Sequence, residues 1–170
     1  MNGLRRGLDL LVGFVCCTLL ATLVIVLAWQ VFSRYALNAP SSVTEEMLRY
    51  GVIWMSLLGA AYATGQGSHL SVDFLRDFMS RKNQLRVDAL IYSVFILFAG
   101  AVLIWGGFKG VSIASNQTSP VMQIPMSWVY LSLPVSGGLM ILYSVLNLVD
   151  LSRGITHHVH SEEQAELTGE

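Results

Sequence analysis

The densest run of chemically capable side chains lies between residues 34 and 50 and holds Arg34, Tyr35, Ser42, Glu45, Glu46 and Arg49. Pro40 precedes Ser42, and Ser42-x-x-Glu45 has the spacing of a capping box. In that motif the serine oxygen accepts from the Glu45 amide and the Glu45 carboxylate reaches back to the serine amide. Glu45 and Glu46 would then sit at the positive end of a helix dipole. Arg49 follows at four and three residues, close enough to neutralise either. Two compatible readings follow: a charged collar that satisfies itself at a helix start, or a polar docking patch for a partner protein. His69 and Asp73, one helical turn apart, form a second candidate group. A histidine there could ligate haem in a respiratory membrane anchor, but such haems take two histidines from facing spans and no second one is available. The expectation is a structural pair, with Asp73 holding the imidazole or nearby arginines. Cys16 and Cys17 are adjacent, so they supply neither a disulfide framework nor the four ligands of a structural zinc. His157, His158 and His160 read as solvated tail residues. No phosphate-binding G-x-x-x-x-G-K-[ST] loop occurs. No catalytic, cofactor or metal centre is expected.

The elements that carry these residues follow from where charge is absent. The chain is 170 residues long, 54% hydrophobic and 12% charged, against roughly 25% charged in an ordinary soluble domain. Windows 10–32, 50–68, 89–108 and 126–149 make up half the chain and contain no charged side chain. Each is long enough to cross a hydrocarbon core of about 30 Å as a helix, and none has the polar face that a soluble bundle would need. The fold class is therefore an all-α membrane protein with four spans, near 10–32, 47–68, 89–108 and 126–149, in a domain over 1–152. Arg5 and Arg6 before the first run resemble a secretory signal. That run exceeds an h-region of about 7–15 residues and no A-x-A site follows, so it reads as an uncleaved span. A net charge of −1 leaves no basic footprint for nucleic acid.

Loop charge sets the orientation. Arg5, Arg6, Arg76, Arg81, Lys82, Arg86 and Arg153 fall on one side, against Arg34, Arg49 and Lys109 on the other, so both termini are expected in the cytoplasm. Trp29, Trp105 and Trp128 mark the outer ends of spans. In 70–86, Val72, Leu75, Phe78 and Met79 recur at helical spacing among charges, which suggests a short amphipathic segment along the cytoplasmic interface. The tail 153–170 is acidic and expected to be disordered. Within the second span Ser56, Gly59, Ala60, Ala63 and Gly67 form a small-residue row that would let another helix approach closely, from this chain or from another subunit. Pro134 predicts a kink in the fourth span. No ionisable group lies at membrane depth, which points to an accessory subunit rather than a conducting pathway.

Arg34-Tyr35, Pro40, Glu45-Glu46, Arg49-Tyr50, Trp54, Leu58-Gly59-Ala60-Ala61 and Gly67-x-His69-x-x-Val72-Asp73 form an ordered series, joined later by Gln117-x-Ser119-Pro120, Ile124-Pro125 and Leu133-Pro134. Over roughly residues 5–150 the chain resembles the small, DctQ-like membrane subunit of tripartite ATP-independent periplasmic (TRAP) transporters. Val43 departs from the pattern, since many members carry tryptophan there. The resemblance implies a non-catalytic subunit of a bacterial inner-membrane system without cofactors. Its partners would be a large multi-span subunit, which holds the substrate and sodium sites and moves as an elevator, and a periplasmic binding protein. That binding protein would deliver a carboxylate-bearing solute such as a C4-dicarboxylate or sialic acid. The family-blind alternative is the membrane anchor of a haem or quinone complex.

Overall fold

An apolar chain in lipid must satisfy its own backbone, and helices do this within each segment. The computed structural model describes residues 2–39, 41–66 and 81–152, and among these every regular element is helical. Helix α1 (Asn2–Tyr35) is one unbroken run of 34 residues, and α2 (Ser42–Gln66) has 25. The third apolar segment is built from α3 (Arg81–Phe98), a π-helical stretch (Ala99–Gly106) and α4 (Gly107–Ala114). The fourth comprises α5 (Ser127–Tyr130) and α6 (Ser132–Ser152).

Three runs, Arg5–Tyr35, Ala89–Ala114 and Ser127–Leu151, are long and apolar enough to cross a membrane. The second of the four expected spans does not reach that standard. Its length suffices, but Ser56, Gly59, Thr64, Gly65 and Gln66 dilute its apolarity. Part of the dilution follows from its place in the packing, where Thr64 and Gly65 are buried. One core joins Val12 and Cys16 of α1 to Leu58 of α2 and Tyr143 of α6. A second joins Ala61 of α2 to Ala99 and Leu103 of the π-helical stretch and Met140 of α6. Thus α2 and α6 form a shared central pair, with α1 on one flank and the third segment on the other. Helices in that position favour small residues, because close backbone approach supplies the dispersion contacts that hold helices together in lipid. Cys16 is buried in the first core and Cys17 is exposed.

Two glycines make the closest approaches. A Cβ on Gly65 would stand 2.5 Å from Cδ1 of Tyr143, whose ring is only 1% exposed. On Gly107 it would stand 2.8 Å from Cδ of Pro134. The π-helical turns serve the second contact. Ala99, Leu103 and Gly107 are all buried at intervals of four, whereas an α-helix would rotate each by about 40° relative to the last. Wider i→i+5 turns change that rotation and leave the three on the side that packs on α6. Pro134 falls in the first turn of α6, and its missing N–H leaves the Tyr130 carbonyl without an i+4 donor. Helical geometry nonetheless runs on through Leu131 (φ −62°, ψ −23°), whose amide donates to the Ser127 carbonyl and whose carbonyl accepts from Val135.

The fit at Gly65 yields a contrast. Gly65→Ala should lower stability by about 1–3 kcal/mol through overpacking, while Gly59→Ala, where a Cβ would meet nothing within 4 Å, should be neutral. Thermal unfolding of the two variants in detergent measures both.

Candidate functional site

The start of α2 is capped one residue earlier than the sequence spacing suggests. The Thr44 amide donates to Ser41 Oγ at 3.4 Å and Thr44 Oγ1 donates to the Ser41 carbonyl at 2.9 Å. Ser42 is the first helical residue and is exposed, so the expected Ser42–Glu45 box is replaced by a Ser41–Thr44 pairing. Two adjacent serines can each cap a helix, and Thr44 gives the earlier register a reciprocal hydroxyl that the later one lacks. The connection from α1 supports this register. Ser33 Oγ donates to the Ala39 carbonyl at 2.5 Å, and Asn38 takes a left-handed φ of 50°, which asparagine tolerates.

This register separates the two glutamates. Glu45 faces solvent and accepts from Arg49 Nη2 at 3.4 Å, with side chains 55% and 63% exposed. Such a pair contributes little. Glu46 points inward and is 4% exposed. Its Oε1 accepts from Ser119 Oγ at 2.5 Å and Tyr50 Oη at 2.8 Å. Its Oε2 accepts from the amides of Met122 at 2.7 Å and Val121 at 3.2 Å. Three of these donors belong to a short hairpin between α4 and α5. That hairpin is closed by a Thr118–Pro125 bridge and by Ser119 N donating to the Ile124 carbonyl at 2.9 Å. Gln123 turns it with φ of 55°. Among the described residues Glu46 is the only charged side chain in the buried set. Burial alone would raise its pKa, but the hydrogen bonds from Ser119, Tyr50, Met122 and Val121 outweigh that and hold the carboxyl below its ordinary 4.5. The carboxylate latches α2 to the hairpin.

At the opposite end a second polar group ties three helices. Arg5 Nη1 donates to Asp150 Oδ2 at 2.6 Å, and its Nη2 donates to Asn147 Oδ1 and to the Gly65 carbonyl, both at 2.9 Å. Asn147 Nδ2 donates to the Thr64 carbonyl at 2.9 Å. The two carbonyls belong to the last described turn of α2. Arg5 thus ties α2 to α6, a role that its position among the loop charges did not reveal.

The other sequence candidates are dispersed. Arg34 and Tyr35 are exposed, Tyr35 at 78%. Ser56, Ala60 and Ala63 are exposed and a Cβ on Gly59 would meet nothing, so this part of the row turns away from the chain's own helices. The face of α2 that packs internally is Leu58, Ala61, Thr64 and Gly65. Gly67, His69 and Asp73 lie outside the described residues, as do most of the expected amphipathic segment and the tail 153–170. Sequence reasoning assigned Ser119 no role. The available signal was the pairing of two glutamates with one arginine, which leaves one carboxylate to find donors elsewhere.

Glu46→Ala should speed amide exchange at Val121 and Met122 about tenfold or more, as expected on losing charge-assisted acceptors, with little change in the middle of α6. The folded pKa of Glu46 is depressed, so its stabilising contribution is full above the ordinary carboxylate range. It is lost only as pH falls through the folded value, below 4.5. Hydrogen exchange should therefore show the hairpin protected at pH 5 and released in stronger acid.

Residues 23–154 match the family described as tripartite ATP-independent periplasmic transporters, DctQ component. The chain is 29% identical over 156 residues to the sialic acid TRAP transporter small permease protein SiaQ of Vibrio cholerae, covering 90% of each. It is 26% identical to a putative TRAP transporter small permease protein of Haemophilus influenzae, covering 81% of this chain and 84% of that one. Over 99 residues, 57% of this chain, it is 35% identical to the isethionate TRAP transporter permease protein DctMQ of Oleidesulfovibrio alaskensis, where the match takes up 15% of the relative. Members of this family are transporter subunits and not enzymes, which sets aside the haem or quinone anchor. The chain belongs to the DctQ family, the small permease component of TRAP transporters.

Proposed function

We propose that this chain is the fixed scaffold of a TRAP transporter in a bacterial inner membrane, with four spans and both termini in the cytoplasm. It buttresses the large elevator-type subunit during sodium-coupled uptake of a carboxylate-bearing solute. The relatives named for sialic acid and for C4-dicarboxylate support that solute class. The observation that carries the reading is that the one charged side chain in the buried set among the described residues, Glu46, is held by the chain's own donors. Glu46 accepts four hydrogen bonds from within the chain, and Arg5 is engaged by Asp150, Asn147 and Gly65. The four bonds commit the Glu46 carboxylate to the fold rather than to a solute or an ion. A transport pathway needs polar groups free to bind cargo at membrane depth, and this arrangement suits a support.

The large subunit would seat against the outward face of α2. Ser56, Gly59, Ala60 and Ala63 offer a low ridge there for close backbone approach. The binding protein would meet the surface of Arg34, Tyr35, Ser42, Glu45 and Arg49, which the latch on Glu46 holds in position from beneath. Charges at such a rim chiefly alter association rate and its salt dependence.

In liposomes the chain alone should take up no solute, and the two membrane subunits together should do so when supplied with binding protein and a sodium gradient. Gly59→Leu or Ala63→Leu should cut copurification of the large subunit severalfold while leaving this chain's own unfolding temperature unchanged. Arg34→Glu should leave copurification intact yet raise the binding-protein concentration needed for half-maximal uptake. Uptake by the chain alone, or copurification untouched by both leucines, would refute the scaffold reading. A reporter active only outside the cytoplasm, fused after Asn38 or Asn116, should work, and after Lys82 it should be silent.

A further inference from the structure

The third apolar segment carries an open groove of about 470 Å3 lined by Gly100, Ile104, Trp105, Phe108 and Lys109. All five residues come from one segment, so the groove owes nothing to a neighbouring helix. Its lining falls on the π-helical turns and the first turn of α4, with Gly100, Ile104 and Phe108 at intervals of four and Trp105 and Lys109 each next in sequence to one of them. Gly100 leaves a notch, since a Cβ there would meet nothing within 4 Å. Trp105 is 78% exposed and Phe108 is also exposed. Lys109 is exposed, and among the described residues no carboxylate is paired with it.

We propose that this groove holds one acyl chain of an anionic glycerophospholipid, with the headgroup phosphate at the Lys109 ammonium and the Trp105 indole N–H beside it. The order of polarity along the groove matches that of the lipid. Its cation and indole lie together at the end toward α4, and its apolar notch lies two turns toward the middle of the segment. Indole rings settle at the headgroup level, and a lysine can lay its stem along apolar surface while its charge reaches the interface. The headgroup is anionic rather than zwitterionic because an unpaired ammonium attracts net negative charge and repels an ethanolamine ammonium. A helix of another protein seated here would bury that ammonium without a counter-charge, which is costly in lipid. The inference rests on the third segment crossing a membrane and is independent of the transport reading.

The test is native mass spectrometry of the full chain released from micelles holding equal phosphatidylglycerol and phosphatidylethanolamine, repeated on the complex with the large subunit. Wild type should retain phosphatidylglycerol about fivefold over phosphatidylethanolamine, the ratio expected for one interfacial lysine. Lys109→Gln should bring that ratio close to one. Gly100→Leu should lower occupancy by both lipids with an unchanged unfolding temperature, because the added side chain fills only the notch. Lipid occupancy unaffected by Gly100→Leu, or a phosphatidylglycerol preference that survives Lys109→Gln, would overturn the proposal. So would loss of the large subunit from the Gly100→Leu complex with lipid retained, since protein would then be what covers the groove.

Discussion

A carboxylate taken out of water must be met by donors, and at Glu46 that requirement organises one whole end of the molecule. The residue enters the protein on the first turns of α2, far along that helix from Arg5, and the buried set among the described residues holds no cation to neutralise it. It is satisfied instead by Tyr50 one turn along its own helix and by a hairpin more than seventy residues later. Two consecutive amides and a serine hydroxyl can converge on it only if the chain between α4 and α5 turns tightly. The bridge at Thr118 and Pro125 and the left-handed Gln123 are the geometry that this convergence demands. Without the acceptor the turn would expose its amides to no partner, and without the turn the carboxylate would be stranded.

The opposite end obeys the same rule with the signs exchanged. Arg5 supplies donors to a carboxylate, an amide oxygen and the Gly65 carbonyl, so polar bonds hold the central helix at its start and in its last described turn. Between them the contacts are apolar and close, set by Gly65 against Tyr143 and Gly107 against Pro134. The Glu46 carboxylate is committed internally in this way. That suits the proposed role of a part that stays still while a neighbour moves.

The sequence made the helices legible because hydrophobic runs are local, and a run of twenty apolar residues has few alternatives in lipid. It also made the charged start of α2 visible as a special place. The cap register was not legible, because Ser41 and Ser42 are equally competent and the choice depended on Thr44. Nor was the division of labour between Glu45 and Glu46, since the donors for Glu46 lie on a hairpin distant in sequence. Arg5 looked like any interfacial cation until α6 brought Asn147 and Asp150 beside it. The fit of Gly65 against Tyr143 and of Gly107 against Pro134 comes from close packing on α6, which periodicity within a single segment does not express.

The account stands on Glu46 being ionised while buried. Infrared difference spectra of wild type minus Glu46→Gln, recorded across a pH titration of the detergent-solubilised chain, isolate the absorption of that one group. The expected result is a carboxylate signal that persists from neutral pH to below 4.5, with protonation appearing only in stronger acid. A protonated carboxyl band at neutral pH would show that the hairpin is held by a neutral acid. The latch on which the fixed end of α2 depends would then not exist in the form described.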